Sequence, residues 1–284
     1  MHLNNLNVAI IGHGFVGKAI DECFPDVNKL IVDIKYETKV SDLVSFKADI
    51  IFIALPTPMN DNGHINDEII VDVFNEINKY EVNSVLVLKS TATPNTIRKL
   101  SNINDKLVYS PEFLREKSAL EDLINSRINI LSGSIEQCRY VQRIFNKFSI
   151  IKNTEFQFTD YETASMLKYS INAFLASKVI FFNQLKEIFD SDRFEGCWDS
   201  FLDLISLDPR LSNSHMKVPG HDGKKGYGGA CFPKDVSALI KYAEDIDVNL
   251  SLLKEVHSSN NLIRSEYDKS DREISQNINF KNKE

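Results

Sequence analysis

No two cysteines in this sequence stand close enough to form a CxxC pair, so neither a zinc knuckle nor a redox dithiol organises it. The four are Cys23, Cys138, Cys197 and Cys231. No apolar run reaches the ~20 residues that a membrane span requires. The opening MHLNNLNVAII lacks a basic n-region and runs straight into a strand-like segment, so no signal peptide is expected. Unpaired thiols then suit a reducing, cytoplasmic setting. Positive charge is also short: 33 Lys and Arg face 40 Asp and Glu, a formal net charge of −7. A nucleic-acid binder normally carries a basic domain, so that role is disfavoured. A small anionic ligand stays open, because local donors rather than net charge hold one.

What is present is an ordinary globular composition, 43% hydrophobic and 26% charged, which excludes a disordered tail or a collagen-like fibre. At about 100–200 residues per domain the length suggests two domains. The first half carries six short apolar runs: Val8–Ile11, Lys29–Asp33, Ile50–Leu55, Ser84–Leu88, Leu107–Tyr109 and Ile128–Leu131. They show little polar alternation, as in strands of a parallel sheet covered on both faces. Segments such as Asp67–Lys79 and Pro94–Leu100 lie between them as crossover helices. The expected class is α/β, a Rossmann-type doubly wound sheet over residues 1–155.

Past residue 155 the texture is helical. Asp160 to Asp190 contains no Gly or Pro, and Ala164, Leu167, Ile171, Phe174, Leu175 and Val179 recur at helical spacing. Trp198–Leu207 reads as a helix ended by Asp208-Pro209, and further helices start at Pro233 and at Ser251. Residues 156–284 are therefore expected to form a helical domain, with a polar tail from about residue 268 that frays. No internal repeat or low-complexity run is found.

Two motifs carry chemistry. Gly12-His13-Gly14-Phe15-Val16-Gly17 is GxGxxG, placed after a strand and before a helical stretch. The first glycine permits the tight turn, the second lets backbone approach a pyrophosphate, and the third allows close helix–strand packing. The helix N-terminus supplies free N–H groups to the phosphates. Asp33 closes the second strand about twenty residues on, where a ribose-binding carboxylate belongs, favouring NAD over NADP. Lys35 weakens that preference slightly.

The second motif is Gly226-Tyr227-Gly228-Gly229-Ala230-Cys231-Phe232-Pro233-Lys234-Asp235. Three glycines bring backbone close to something, and proline at the first helical position marks a helix start just after Cys231. A thiol near a helix N-terminus and a lysine favours the nucleophilic thiolate. The other three cysteines have no such context and read as structural.

GGACFPKD resembles the nucleophile motif of the UDP-glucose/GDP-mannose dehydrogenase family. Further segments resemble that family in order: the strand ending Leu55-Pro56-Thr57-Pro58, Lys89-Ser90-Thr91-Ala92-Thr93-Pro94, Ser110-Pro111-Glu112-Phe113-Leu114-Arg115-Glu116, the helix Lys168-Tyr169-Ser170-Ile171-Asn172-Ala173-Phe174-Leu175-Ala176, and Asp208-Pro209-Arg210. The resemblance runs from about residue 7 to about 264. Departures are Lys117 where the family has glycine, Asn125-Ser126-Arg127 where it has PDR, and a longer loop at 218–225. The expectation is a short form lacking the C-terminal nucleotide-binding domain, which normally holds much of the sugar nucleotide.

The resemblance implies oxidation of a primary alcohol to a carboxylate with two NAD, through a thiohemiacetal and then a thioester on Cys231. It implies Lys168 and Asn172 at the oxyanion, and Glu112, Glu116, Asp235 and Thr91 as candidates for the base or its water. Which carboxylate is the base stays open. Cofactor contacts are expected from Gly12, Gly14, Phe15, Val16, Gly17, Asp33, Lys35, Thr57, Pro58 and Thr91. Substrate contacts are expected from Phe113, Leu114, Arg115, Lys168, Asn172, Arg210, Lys217, Tyr227 and Gly228, Arg210 acting across a homodimer built on the long helix. His13, His64, His215, His221 and His257 form no ligand spacing, so no metal is implied. UDP-glucose is the first substrate expected. GDP-mannose, a UDP-N-acetylhexosamine and a non-catalytic NAD- or nucleotide-binding role stand as alternatives.

Overall fold

The computed structural model describes residues 6–191 and 196–280. The chain divides into two compact units, one of Met1–Thr57 with Asn66–Lys168, the other of Pro58–Ile65 with Tyr169–Glu284.

The first unit holds one seven-stranded sheet: β1 (Asn7–Ile11), β2 (Asn28–Val32), β3 (Ile50–Ile53), β4 (Val85–Leu88), β5 (Leu107–Tyr109), β6 (Ile130–Ser132) and β7 (Gln157–Thr159), in the order β2-β1-β3-β4-β5-β6-β7. The strands β2-β1-β3-β4-β5 are parallel, with Ala9 beside Leu30 on one side and Ile51 on the other. Successive residues serve opposite faces, as the pleat demands. Ala9, Ile11, Ile51, Ile53, Leu86 and Leu88 pack into one core, while Val8, Ile10, Ile50, Phe52 and Val87 pack into another. Both faces are therefore apolar, and this is why the runs showed no alternation.

Helices α1 (Phe15–Cys23), α2 (Leu43–Phe46), α3 (Glu68–Lys79), α4 (Pro94–Ile103), α5 (Ala119–Ile124) and α6 (Ile135–Phe148) belong to this unit. α4 starts where Thr93 accepts the Thr96 N–H and Pro94 takes the first turn. Two expectations about the sheet need correction. β6 pairs antiparallel with β5, through Tyr109 and Ser132, and a seventh strand, β7, lies parallel to β6 at the edge. β7 is three residues long and only part-buried, too short and too polar to register as an apolar run.

The helix α7 (Tyr161–Ser191) is continuous over 31 residues, and Asp160 caps it by accepting the Thr163 N–H at 2.7 Å. The second unit adds α8 (Trp198–Ile205), α9 (Phe232–Asp245), α10 (Ser251–Arg264) and α11 (Asp271–Ser275). Its aromatic cluster packs Phe182, Leu202, Met216 and Val218 against Trp198 and Phe201. The tail corrects a further expectation. As far as residue 280 it does not fray: α11 opens with a capping box between Ser270 and Glu273, and Glu273, Ile278 and Phe280 are buried. Only two of its apolar side chains point inward, so no periodic stripe announced it. Residues 281–284 lie outside the described residues.

Candidate active site

The carboxyl ends of the parallel strands gather the first set of site residues. β1 is flanked by β2 and β3, so the strand order reverses there, and an open α/β sheet binds ligands at such a reversal. Gly12 donates to Val32 O at 2.9 Å and Ala54 donates to Ile11 O at 2.8 Å, tying together the loops after three strands. Gly12 has φ +88°, and a Cβ there would stand 2.6 Å from Ala54 O. A Cβ on Gly17 would stand 2.0 Å from Gly12 O. Gly14 differs: a Cβ would meet nothing within 4 Å, and no side chain caps α1 at this residue. The cap residue of this helix N-terminus thus has space beside it, which an anionic pyrophosphate approaching the helix would use. These residues fit a dinucleotide.

Asp33 sits beside them, half-buried. Its Oδ2 accepts the His13 N–H at 2.6 Å and its Oδ1 the Lys35 N–H at 2.9 Å. Partial burial works to raise its pKa, but these N–H groups and the nearby His13 and Lys35 hold the carboxyl below its ordinary value. The Lys35 ammonium lies over the Tyr36 ring at 5.4 Å. The His13 ring meets Tyr36 Oη and Asp21, a positional role. Thr57 is buried, while Phe15, Val16, Pro58 and Thr91 are half-buried, and Ser90 Oγ donates to Leu55 O at 2.7 Å.

The loop after β5 carries Glu112 to Glu116. Glu112 Oε1 forms an ion pair with Lys89 Nζ, which also donates to Ser110 Oγ at 2.8 Å. Complete burial pushes the Lys89 ammonium down to about 7, while the carboxylate in contact pulls the other way. Lys89 lay in a quoted motif, yet nothing about its position there marked it as the partner of Glu112. Phe113 and Leu114 are half-buried, Arg115 and Glu116 exposed. Arg115 directs its backbone N–H and its guanidinium Nε and Nη2 to Asp122. Lys168 is buried, with Nζ 5.4 Å from the Phe113 ring centroid.

The second unit brings together another group. Asn172, one turn beyond Lys168 on α7, donates Nδ2 to Asp235 Oδ2 at 2.6 Å. Lys234 Nζ meets Asp235 Oδ1 at 2.5 Å. All three side chains are buried. Cys231 occupies the N-cap position of α9, is solvent-exposed and makes no disulfide. Tyr227, four residues earlier, is buried, and burial pushes its phenol up. Arg210 and Lys217 are exposed, and Arg210 pairs with its near neighbour Asp208.

Cys23 and Cys138 are buried in the core of the first unit, and burial raises both thiols. Cys197 is exposed and caps α8 by accepting the Ser200 N–H at 3.3 Å. Among the described residues no cluster of His, Cys, Asp or Glu could hold a metal, and no helix is long and apolar enough to cross a membrane. The sequence reading missed Asn183, Asn260, Arg264 and Glu273, which bind the backbone of the glycine-rich loop or brace it. One signal was available for Glu273, the S-x-x-E capping box from Ser270.

The profile of the UDP-glucose/GDP-mannose dehydrogenase family's NAD binding domain matches residues 27–149, and that of its central domain matches residues 162–262. A UDP-glucose 6-dehydrogenase of Bacillus subtilis is 32% identical over 76% of this chain and 49% of its own length. One from Rhizobium meliloti is 30% identical over 88% of this chain and 66% of its own. The chain thus spans about half to two thirds of such relatives. In fold it is similar to a UDP-glucose dehydrogenase from Pyrobaculum islandicum, with a TM-score of 0.75 at 20% identity over 92% of this chain and 69% of that one. A UDP-D-ManNAc dehydrogenase from Pyrococcus horikoshii is similar to the same degree, at 17% identity.

Proposed function

The chain belongs to the UDP-glucose/GDP-mannose dehydrogenase family, and from that premise we propose that it oxidises the C6 alcohol of a sugar nucleotide, UDP-glucose to UDP-glucuronate, with Cys231 as nucleophile. The cofactor of the family's first domain is NAD, which when bound accepts a hydride in each of two successive oxidations. The observation that carries the reading is Cys231 itself: an exposed thiol at the start of α9, with buried Lys234 and Asp235 in the turn that follows and Asn172 of α7 bonded to Asp235.

The residues divide the work. A base takes the alcohol proton in the first oxidation. The Cys231 thiolate adds to the resulting aldehyde and forms a C–S bond, giving a thiohemiacetal. Loss of the second hydride and a proton leaves a thioester, and water breaks the C–S bond to release the acid and the thiol. Splitting one hard oxidation into these stages is the use of a covalent nucleophile. In balance, one water oxygen enters while two hydrides and three protons leave. Lys168 and Asn172, a helical turn apart on α7, supply a cation and an amide donor for the developing oxyanion. Glu112 is the carboxylate we assign to the base or to the water it activates. It lies half-buried in the loop after β5 and meets the Lys89 ammonium. Asp235 is committed to Asn172 and Lys234 and orients them.

The partner in solution is a second copy. Phe174, Phe181 and Ile188 recur every seven residues along α7 and are 68%, 54% and 53% exposed, an apolar stripe of the kind that homodimers bury.

The test follows NADH with a panel of UDP-glucose, GDP-mannose and UDP-N-acetylmannosamine. Two NADH per UDP-glucose, lost in Cys231→Ala, supports the reading. Preference for another sugar nucleotide moves the substrate assignment within the family. NAD binding with no NADH from any of them ends the catalytic reading.

A further inference from the structure

The glycine-rich loop is held by its backbone from three helices. Asn183 on α7 accepts the Gly226 N–H at 3.0 Å. Asn260 on α10 takes the Tyr227 N–H at 2.7 Å and returns a hydrogen bond to the Tyr227 carbonyl at 3.0 Å. Glu273 on α11 accepts the Gly229 N–H at 2.9 Å. Gly226 and Gly229 have φ +70° and +77°, so the loop needs both glycines and external partners for its N–H groups.

Glu273 is the most heavily engaged of the three. It is 1% exposed. Its Oε1 also accepts from Arg264 Nη2 at 2.7 Å, and its Oε2 from Ser270 N at 2.7 Å and Ser270 Oγ at 2.9 Å. The buried Arg264 reaches with its other nitrogen to Asp222 Oδ2 at 2.8 Å, in the loop before the glycines. Gly228 fits only without a side chain, since a Cβ would stand 2.1 Å from Arg264 Nη2 and 2.5 Å from Glu273 Oε1. The segment carrying Glu273 is itself docked: Met59 N donates to Gln276 O at 3.0 Å, Asn277 Nδ2 donates to Met59 O at 2.9 Å, and Ile278 and Phe280 are buried.

A carboxylate satisfied this fully has a reason to be inside the protein. What it restrains is the residue two positions before Cys231. We propose that Glu273, braced by Arg264, is a positioning residue for Cys231: docking of the 270–280 segment fixes the backbone at Gly229 and so holds the thiol at the first turn of α9. When the segment leaves, the Gly229 N–H loses its partner, the loop loosens and the thiol leaves the favourable field of the helix N-terminus. Cys231 is already exposed, so loosening adds no access and its reactivity falls. This inference does not depend on the sugar-nucleotide reaction, because the thiol is read directly.

The test alkylates the full chain with iodoacetamide and follows Cys231 and Cys197 by peptide mass spectrometry. Cys197 is an exposed thiol that accepts the Ser200 N–H within its own helix turn, so it reports reagent and general folding in the same molecule. Glu273→Ala is expected to lower the Cys231:Cys197 rate ratio threefold or more. Glu273→Gln, whose amide oxygen still accepts from Gly229, is expected to recover most of that loss. A ratio within twofold of the parent's in folded Glu273→Ala, or a raised one, overturns the proposal. If Glu273→Ala does not fold, hydrogen exchange on the parent decides. Gly229 is expected to exchange no slower than the amides of residues 271–278 that hold Glu273 in place. A Gly229 amide protected tenfold more than that segment overturns the proposal.

Discussion

Asn172 and Asp235 join the long helix α7 to the first turn of α9 by a hydrogen bond of 2.6 Å in which both side chains are buried. An amide facing a buried carboxylate satisfies it only while both are present. Removing one strands the other at roughly 1–3 kcal/mol. Asn172→Ala is therefore expected to lower unfolding free energy by that amount, with Lys234 still balancing the Asp235 charge. The two groups touch, so their effects are not additive. A double-mutant cycle of Asn172→Ala and Asp235→Ala in urea is expected to give a coupling of about 0.5–3 kcal/mol. Coupling within error of zero means that the bond contributes nothing in solution.

The glycines of the cofactor loop separate binding from folding. Gly14 has open space at its Cβ position and an ordinary φ of −71°. Gly14→Ala is thus expected to keep its stability within about 0.5 kcal/mol yet bind NAD at least tenfold more weakly, because the added methyl stands where backbone must approach phosphate. Gly17→Ala drives a Cβ to 2.0 Å from Gly12 O and is expected to destabilise the unit itself. Calorimetric unfolding with and without NAD distinguishes the two. Equal NAD affinity in Gly14→Ala and the parent removes this loop from the cofactor site.

How far the sequence carried this picture depends on what each signal encoded. The central strands were legible because parallel strands buried on both faces must be apolar at every position, as Ile50-Ile51-Phe52-Ile53 are. Gly12 and Gly17 were legible because only glycine tolerates such approach of backbone to backbone. β7 and the 270–280 segment were not, since their placement rests on hydrogen bonds and a few scattered apolar anchors rather than on periodicity. Lys89 and Glu112, 23 positions apart in the numbering, meet only because β4 and β5 are neighbours in the sheet. Their pairing is a product of topology that no local motif contains. The loop clamps Asn183, Asn260 and Glu273 are single polar residues on helices, whose sequence positions look like ordinary solvated sites.

Acid should reveal the charge at Glu273. The carboxyl is partly desolvated, which raises its pKa, but the N–H groups of Ser270 and Gly229, the Ser270 hydroxyl and the Arg264 guanidinium outweigh that and hold it below its ordinary value of 4.5. A carboxyl with a lowered folded-state pKa stabilises the protein fully above its unfolded value, and that stabilisation is lost as pH falls through the folded one. The stability gap between the parent and Glu273→Gln is therefore expected to be constant between pH 7 and pH 5, at about 1.5–3 kcal/mol for hydrogen bonds to a charged group. It then narrows below about pH 4.5. Urea midpoints of both proteins at several pH values check this. A gap that persists undiminished well below the folded-state pKa shows that the charge does not act.

The stripe on α7 makes the last prediction. Seven residues fall about 20° short of two full helical turns, so Phe174, Phe181 and Ile188 drift only slowly around the helix and stay on one face. Each is more than half exposed, and a row of large apolar side chains on a long helix is removed from water most simply by the same row on a second copy, through a two-fold contact. Phe181 touches Phe182, its ring centroid 5.4 Å away, but is not part of the buried cluster that Phe182 joins. Phe181→Glu therefore places a charge in the centre of the proposed interface while leaving the core of the protomer intact. Sedimentation equilibrium is expected to give a dimer for the parent and a monomer for Phe181→Glu, with helical content by circular dichroism unchanged. A monomeric parent at tens of micromolar, or an unaltered dimer in the variant, places the interface elsewhere. The variant also isolates Arg210, the exposed cation paired with Asp208. If Arg210 serves a neighbouring protomer's substrate, Phe181→Glu raises the KM for the sugar nucleotide as Arg210→Ala does, and the two together raise it no further.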